Sequence, residues 1–318
     1  MTSTIRMHAT GAPSVLRLED GDAGAPGPGQ VRLRQEAIGV NYVDTMVRDG
    51  RFPLALPAVP GFEGAGTVQA LGPGVTQLRV GQRVGYFFAI GAYAAERVID
   101  AQALIPLPDD VDAEHAAAFL SKGLTAWMGL RALYPLRAGE IILVQGASGN
   151  VGAILARWAR SLGVTVIGVA GSSRKLAKVK GGADHALAAD DPAFADKLRA
   201  IAPAGVDVVY DFVGAAVAAQ TLASVRDGGT IAAIGAASGQ ARFDPAALVR
   251  RSIALRAGGT PQYVTRDKVA AASAELFASM RAGLFDDLAI VRYPLAQAAQ
   301  AHADIEDRKQ EGLAVLVP

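Results

Sequence analysis

A buried strand that runs into a glycine-rich turn and then a helix is the feature that most constrains this chain. Residues 141–146 read IILVQG, an apolar run typical of a strand covered on both faces. Gly146, Gly149 and Gly152 follow in a G-x-x-G-x-x-G pattern, and a helix is predicted over 150–162. Such a turn lets a pyrophosphate approach backbone amides and the positive end of the helix dipole. The pattern predicts a dinucleotide site, although glycine also serves tight turns that bind nothing.

The chain after this turn alternates between strand and helix patterns. Further apolar runs that predict strands lie at 164–170, 206–214, 229–235 and 252–258. Helical stretches separate most of them, and strands that alternate with helices form parallel sheets. The predicted fold class is therefore α/β, with a doubly wound parallel sheet of the Rossmann type over 121–258.

The residues before this region show a different sequence pattern. Short apolar runs are separated by glycine and proline, which predicts a mostly antiparallel β domain, either a barrel or a sandwich. A chain of 318 residues also exceeds the size at which a single core stops growing, about 250 to 300 residues. We therefore predict a β-rich domain over 1–120, to which the C-terminal segment 259–318 returns, and a separate Rossmann domain over 121–258.

Charge and hydropathy exclude several classes of partner. Lysine and arginine total 31 and aspartate and glutamate total 30, so no overall positive field attracts nucleic acid or an anionic membrane. The chain contains no long uninterrupted apolar run of the kind that spans a bilayer. Its first residues, MTSTIRMHATGAP, lack the apolar region of a signal peptide. We expect a cytoplasmic protein with a small-molecule partner.

Cysteine is absent from the sequence. Disulfides, thiolate catalysis and every zinc site that contains cysteine are therefore excluded. The four histidines are widely separated and none shows a His-x-x-x-His spacing; they are His8, His115, His185 and His302. We expect no metal centre.

The residues after the second predicted strand indicate which nicotinamide cofactor fits. An acidic residue there would bind the ribose 2′-hydroxyl and repel a 2′-phosphate. The segment 171–175 instead reads GSSRK, with Ser172, Ser173 and Lys175 as potential phosphate ligands. This pattern favours NADPH, although Arg174 and Lys175 could instead be the solvated start of a helix.

Seven segments together carry a family resemblance. They are GVNYVDTMVRDG (39–50), PGFEGAGTV (60–68), GAYAAERVI (91–99), FLSKGLTAW (119–127), VQGASGNVG (144–152), VVYDFVG (208–214) and YPLAQAAQAH (293–302). The chain resembles, nearly end to end, the zeta-crystallin-like quinone oxidoreductases of the medium-chain dehydrogenase/reductase superfamily. The resemblance implies a GroES-like catalytic domain beside the Rossmann domain.

The resemblance also implies chemistry without zinc. Zinc-dependent alcohol dehydrogenases of this superfamily place a cysteine at the position of Asn41 and a histidine at that of Phe62. Both ligands are missing here, as is the four-cysteine lobe that binds structural zinc in those enzymes. Hydride transfer would then proceed without a Lewis acid.

Site residues follow from the same resemblance. Asn41, Tyr42 and Asp44 are expected to line the catalytic site, although Asp44 could instead only hold its loop. Cofactor contacts are expected from Tyr42, Met46, Thr125, Gly146, Ser148, Gly149, Asn150, Val151, Gly171, Ser172, Ser173, Lys175, Gly235, Ala236, Ala237 and Arg308. Met46 could instead be a core residue, and Arg308 could instead be a cation at the end of a helix.

The implied activity is NADPH-dependent reduction of a quinone or a similar conjugated carbonyl. Two alternatives remain open: an enone or enoyl-thioester reductase, for which Tyr42 is the main proton donor, and a non-catalytic NADPH-binding protein. Met46, Phe52 and Phe212 depart from the family pattern and leave the substrate open. Family members pair edge strands as dimers or tetramers, and 252–259 could serve as such an edge or stay capped in a monomer.

Overall fold

Two units make up the chain in the computed structural model, which describes residues 2–309 and 311–318. Unit 1 comprises Met1–Ser121 and Leu288–Pro318, and unit 2 comprises Lys122–Asp287. Among the described residues, no helix is both long enough and apolar enough to cross a membrane.

Strands dominate unit 1, and strands alternate with helices in unit 2. Within the described residues the strands are β1 (Thr2–Arg6), β2 (Arg17–Gly21), β3 (Gln30–Gly39), β4 (Glu63–Leu71), β5 (Arg83–Tyr86), β6 (Glu96–Asp100), β7 (Ile105–Pro106), β8 (Ile141–Gln145), β9 (Thr165–Ala170), β10 (His185–Ala188), β11 (Val206–Asp211), β12 (Val225–Ala233), β13 (Ala254–Ala257), β14 (Ile290–Pro294) and β15 (Leu313–Val317). The α-helices in the same residues are α1 (Tyr42–Arg48), α2 (Ala113–Trp127), α3 (Asn150–Ser161), α4 (Ala177–Lys180), α5 (Phe194–Ile201), α6 (Ala218–Ser224), α7 (Pro245–Arg250), α8 (Thr260–Tyr263), α9 (Val269–Arg281) and α10 (Ala298–Glu306). A π-helical segment, Met128–Leu133, continues α2.

Unit 1 contains a mostly antiparallel sheet in the order β14-β15-β3-β4-β5-β7, with β6 also paired to β3. The sequence of β3 explains its place, because Val31, Leu33 and Ala37 are buried while Arg34 and Glu36 between them are exposed. Only β14 and β15 pair in parallel within this sheet among the described strands. The GroES-like β-rich domain expected from the sequence is confirmed.

Unit 2 is built on six parallel strands in the order β10-β9-β8-β11-β12-β13. Counted from β8, this is the strand order of a Rossmann fold, so the predicted doubly wound sheet is confirmed. Apolar side chains such as Leu143, Ile167 and Val209 bury the centre of the sheet. The short strand β10 was not among the predicted strands, because HALA lacks the β-branched residues that mark the others.

The returning segment is shorter than predicted. We expected the whole of 259–318 to rejoin the first domain, but the return begins at Leu288 and the preceding helices belong to unit 2. Polar contacts explain this correction. Glu275 on α9 accepts a hydrogen bond from Trp127 Nε1 at 3.1 Å, and Asp287 forms an ion pair with the buried Arg157 on α3.

Candidate functional site

The carboxyl ends of β8 and β11 lie side by side at the point where the strand order of unit 2 reverses. Gln145 and Asp211, the last residues of these strands, are partners in the parallel ladder. Ligands of open α/β sheets bind outside the carboxyl ends of the strands at such a reversal. The glycine turn predicted as the dinucleotide site begins directly after Gln145.

The turn itself is shaped by glycine at two positions. Gly146 has φ +80°, which favours a residue without a side chain. A Cβ atom on Gly152 would lie 2.4 Å from the Gly146 carbonyl oxygen, so only glycine lets α3 start this close to the turn. Gly149 N–H donates to the Gly146 carbonyl at 2.9 Å and closes the turn.

The amino end of α3 is left without a side-chain cap. Its N-cap is Gly149, and no side chain of the described residues caps the helix there. The first amides of a helix have no partner within the helix and attract anions. Ser148, Asn150 and Val151 lie in or beside this first turn, where the sequence predicted pyrophosphate contacts. The arrangement fits the pyrophosphate of a dinucleotide.

A second loop follows β9. Gly171 is exposed, and among the described residues no atom outside Gly171 and its chain neighbours lies within 4 Å of the place where its Cβ would be. Ser172 precedes a 3₁₀ turn, Ser173–Lys175, which the Lys175 N–H closes by donating to the Ser172 carbonyl at 2.9 Å. The main chain of this loop is therefore accessible, as a cofactor-binding loop requires.

Asp190 contacts this second loop and was not among the predicted site residues. The amide N–H and the hydroxyl of Ser173 both donate to Asp190 Oδ1, each at 3.0 Å. Asp190 lies two residues beyond the end of β10. Because this strand was not predicted, Asp190 could not be recognised from the sequence as a residue at the end of a strand.

A third loop follows β12 and holds Gly235, Ala236 and Ala237. Gly235 N–H donates to the Asp211 carbonyl at 2.9 Å, and its Cβ would lie 2.3 Å from the carbonyl oxygen of Phe212. The loop is thereby held against the end of β11. Thr125, on α2, is linked through its hydroxyl to that of Thr260 at 2.8 Å.

In unit 1 the predicted catalytic residues cluster at the amino end of α1. Asn41 is the N-cap residue, and Asp44 accepts a hydrogen bond from the Asn41 N–H at 2.7 Å, as in a capping box. Asp44 is completely buried. Its observed contacts match the role of holding the loop, which fixes the backbone that carries Asn41 and Tyr42.

Asp44 is also linked to Tyr93 and His302, which the sequence analysis did not single out. Tyr93 OH lies 3.2 Å from Asp44 Oδ2 and 2.9 Å from His302 Nε2. Burial, followed by the nearby positive charge of Arg48, lowers the pKa of His302 to about 3. Burial, followed by the negative charge of Asp44, raises the pKa of Tyr93.

The hydrogen-bond geometry assigns the protons of the network. Tyr93 donates its own proton to Asp44 Oδ2, so a neutral His302 must donate from Nε2 to the Tyr93 oxygen. His302 Nδ1 is then a buried acceptor, and it has no hydrogen-bond partner among the described residues. The network holds the Asp44 carboxylate at the start of α1. Tyr93 and His302 lie in the segments GAYAAERVI and YPLAQAAQAH.

The side chains of Asn41 and Tyr42 differ in their surroundings. Asn41 Nδ2 is buried and has no hydrogen-bond partner among the described residues. Over the half-buried Tyr42 ring, the Arg51 guanidinium lies 5.6 Å from the centroid. Arg51 is itself bound to Asp49, with Nε 2.7 Å from Oδ2. The hydrogen bond to Asp49 is the main cause that raises the pKa of Arg51.

Phe62, at the position of the zinc-binding histidine in zinc dehydrogenases, lies in an aromatic cluster. Its ring centroid is 6.0 Å from that of Phe52 and 5.7 Å from that of Phe88. Phe52 and Phe88 are partly exposed, so the cluster presents an apolar face. In the described part of the chain, no group of three or more histidine, cysteine, aspartate or glutamate residues is placed to hold a metal ion.

Met46 and Arg308 are the other predicted cofactor residues of unit 1. Met46 is half-buried on α1, and its carbonyl accepts a hydrogen bond from the Phe52 N–H at 2.8 Å. Arg308 is exposed beyond the end of α10 and has φ +57°, a conformation that terminates the helix. The contact of Arg308 with a cofactor stays a prediction.

Models of known protein families match parts of both units. The family model of the alcohol dehydrogenase GroES-like domain matches residues 27–109, and that of the zinc-binding dehydrogenases matches residues 150–275. The chain is 37% identical to a quinone oxidoreductase of Pseudomonas aeruginosa over 332 residues, covering 100% of both chains. It belongs to the quinone oxidoreductase family. The resemblance read from the sequence is confirmed.

Other members of this family broaden the comparison. A 2-haloacrylate reductase of Burkholderia sp is 38% identical over 327 residues, covering 98% of both chains. The crystal structure of Escherichia coli quinone oxidoreductase complexed with NADPH is 32% identical and superposes with a TM-score of 0.94, covering 99% of this chain and 100% of that one. These relatives thus include both a quinone oxidoreductase and a 2-haloacrylate reductase.

Proposed function

We propose that this protein is an NADPH-dependent quinone oxidoreductase. The observation that carries the proposal is the uncapped amino end of α3 behind the Gly146–Gly152 turn, at the strand-order reversal of a Rossmann sheet. This turn would hold the pyrophosphate, with Ser148, Asn150 and Val151 around it. The NADPH complex of the Escherichia coli relative supports the choice of cofactor.

The cofactor-binding set extends to the other predicted residues. Ser172, Ser173 and Lys175 would hold the 2′-phosphate, because hydroxyl donors and an ammonium group suit a dianion. Gly235, Ala236 and Ala237, with Thr125, Tyr42 and Met46, would contact the nicotinamide half. Arg308 would bind at the adenosine phosphate end.

The chain's own residues would act by positioning and by hydrogen bonding. When bound, NADPH supplies a hydride to a flat conjugated carbonyl acceptor. Asn41 Nδ2, a buried donor without a partner among the described residues, would stabilise the negative charge that develops on the acceptor oxygen. The Tyr42 hydroxyl is a second candidate donor. Asp44 would fix the backbone of Asn41 through the 2.7 Å hydrogen bond to its N–H.

A quinone acceptor needs no strong general acid, because the quinol anion formed is stable. This fits an α1 terminus at which Asn41 offers a neutral amide and Phe62 lies where a zinc dehydrogenase has a histidine. The absence of cysteine from the chain also removes one of the ligands that catalytic zinc uses in that superfamily. Hydride transfer without a metal is therefore part of the proposal.

The Burkholderia relative supports a second candidate, reduction of an activated carbon–carbon double bond. That reaction must protonate a carbon next to the carbonyl, and Tyr42 would be the donor. The Arg51 guanidinium above the Tyr42 ring would hold this ring in place through a cation–π contact.

Acceptor preference separates the two candidates. NADPH oxidation should be compared with 1,4-naphthoquinone, crotonyl thioester and 2-chloroacrylate under saturating NADPH. We expect the quinone to be reduced with the highest kcat/KM. Asn41→Ala should lower kcat with the quinone about tenfold or more, as expected when a donor to a developing charge is removed. Unchanged quinone turnover in both Asn41→Ala and Tyr42→Phe would refute the assigned roles.

Assembly and location complete the proposal. The edge strand β13 carries Leu255, which is 45% exposed, and pairing of two such edges would form a homodimer or, with a further contact, a homotetramer. Light scattering in solution tests this.

A cytoplasmic location fits an enzyme that draws on intracellular NADPH, and cell fractionation tests it.

A further inference from the structure

We infer that Asp190 weakens binding of the 2′-phosphate and thereby limits how strongly the protein prefers NADPH over NADH. The inference rests on the proposed function, because it assigns Ser173 to the 2′-phosphate. It goes further in naming a residue that opposes the cofactor's charge. Asp190 is not part of the set of phosphate ligands expected from the sequence.

Both hydrogen-bond donors of Ser173 are already in use. Its amide N–H and its hydroxyl each donate to Asp190 Oδ1 at 3.0 Å. A serine hydroxyl has a single proton to donate. A phosphate oxygen that binds the Ser173 hydroxyl as an acceptor must therefore replace the carboxylate of Asp190.

The carboxylate would also repel the phosphate through its charge. The 3.0 Å hydrogen bond from the Ser173 amide keeps Asp190 Oδ1 beside Ser173 after the hydroxyl has turned to the phosphate, so a phosphate oxygen bound to Ser173 Oγ lies about 6 Å or less from Asp190 Oδ1. At this distance in water, repulsion between a carboxylate and a phosphate of nearly two charges amounts to about a tenfold loss of affinity. Arg174 and Lys175 in the same loop oppose this effect, so NADPH still binds.

The neighbouring carboxylate is a matched control. Asp191 has the same charge and lies one residue further along, but it accepts from the Ala193 N–H at 2.9 Å and from Lys197 Nζ at 2.5 Å. Its charge is thus balanced by a lysine, and none of its described hydrogen bonds goes to Ser173. Asp190 is exposed, so replacing it leaves the core intact.

Calorimetric binding of 2′,5′-ADP and 5′-AMP to the full-length chain tests the inference without relying on turnover. Asp190→Asn keeps an oxygen acceptor for Ser173 and removes the charge, whereas Asp190→Ala removes both. We expect Asp190→Asn to bind 2′,5′-ADP about five- to tenfold more tightly, Asp190→Ala at least as tightly as Asp190→Asn, and neither to change 5′-AMP binding. The gain should shrink in 1 M salt, where charges are screened within about 3 Å.

Three results would contradict the inference. The first is 2′,5′-ADP binding by Asp190→Asn and Asp190→Ala that equals that of the wild type. The second is an equal gain in Asp191→Asn, which would make the effect one of net charge. The third is a loss of both 2′,5′-ADP and 5′-AMP affinity, which would make Asp190 a structural support for the loop.

Failure of the proposed function would look different. A wild-type protein that binds none of NADPH, NADH, 2′,5′-ADP or 5′-AMP would refute the proposed cofactor site and, with it, the inference. Tight NADPH binding together with unchanged discrimination in the Asp190 variants would overturn the inference alone.

Discussion

The buried His302 should make unit 1 sensitive to acid. Its folded-state pKa of about 3 lies below the value of about 6.5 for an unfolded histidine. Between these values the unfolded state binds a proton that the folded state does not, so the free energy of unfolding falls as pH falls from 6.5 towards 3. The loss is about 1.4 kcal/mol per pH unit, and therefore about 3 kcal/mol at pH 4.5.

His302→Gln isolates this contribution, because the glutamine amide can still donate to Tyr93 but cannot take up a proton. Urea unfolding of both proteins should be followed at pH 7.5 and pH 4.5 by the fluorescence of the chain and by circular dichroism. We expect the stability of the wild type relative to His302→Gln to fall by about 3 kcal/mol between the two pH values. Carboxyl groups common to both proteins cancel in this difference. An equal pH dependence of the two proteins would refute the assignment of a neutral buried His302.

Two further substitutions have expected outcomes set by local geometry. Gly152→Ala places a Cβ 2.4 Å from the Gly146 carbonyl and should weaken NADPH binding about tenfold or more in calorimetry, whereas Gly259→Ala, whose Cβ has no neighbour nearer than 3.8 Å, should not. Glu306→Ala removes the carboxylate partner of the buried Arg48, and Glu306→Gln removes its charge. We expect a cost of about 3 kcal/mol in urea unfolding for Glu306→Ala and a smaller one for Glu306→Gln. Equal stability of Glu306→Gln and the wild type would contradict this.

The fold could be predicted from the sequence because its signals are local and periodic. The run at 141–146 and the three glycines mark one strand, one turn and one helix, and repetition of the pattern fixes a parallel sheet. Strand β10 was missed because its short HALA sequence contains none of the β-branched residues that mark the other strands. The end of the second domain was also misplaced, since it depends on the Trp127–Glu275 and Arg157–Asp287 contacts between residues far apart in the chain.

Residues of the candidate site could be proposed from the sequence only where they belong to a short sequence motif. The motif that carries the family resemblance pointed to Asn41, Tyr42 and Asp44, which lie at the amino end of α1. Asp44, however, contacts Tyr93, 49 residues further along, and Tyr93 contacts His302, 209 residues beyond that. Hydrogen bonds over such separations leave no pattern in a single sequence. The same reason applies to Asp190 and Ser173, which are 17 residues apart.

The central claim is reduction of a quinone by NADPH without a metal ion. Its most direct test is the initial rate of NADPH oxidation with 1,4-naphthoquinone after exhaustive dialysis against a chelator. We expect turnover that zinc addition does not increase, with a higher kcat/KM for NADPH than for NADH. Absence of quinone turnover, or turnover that appears only when zinc is restored, would contradict the account.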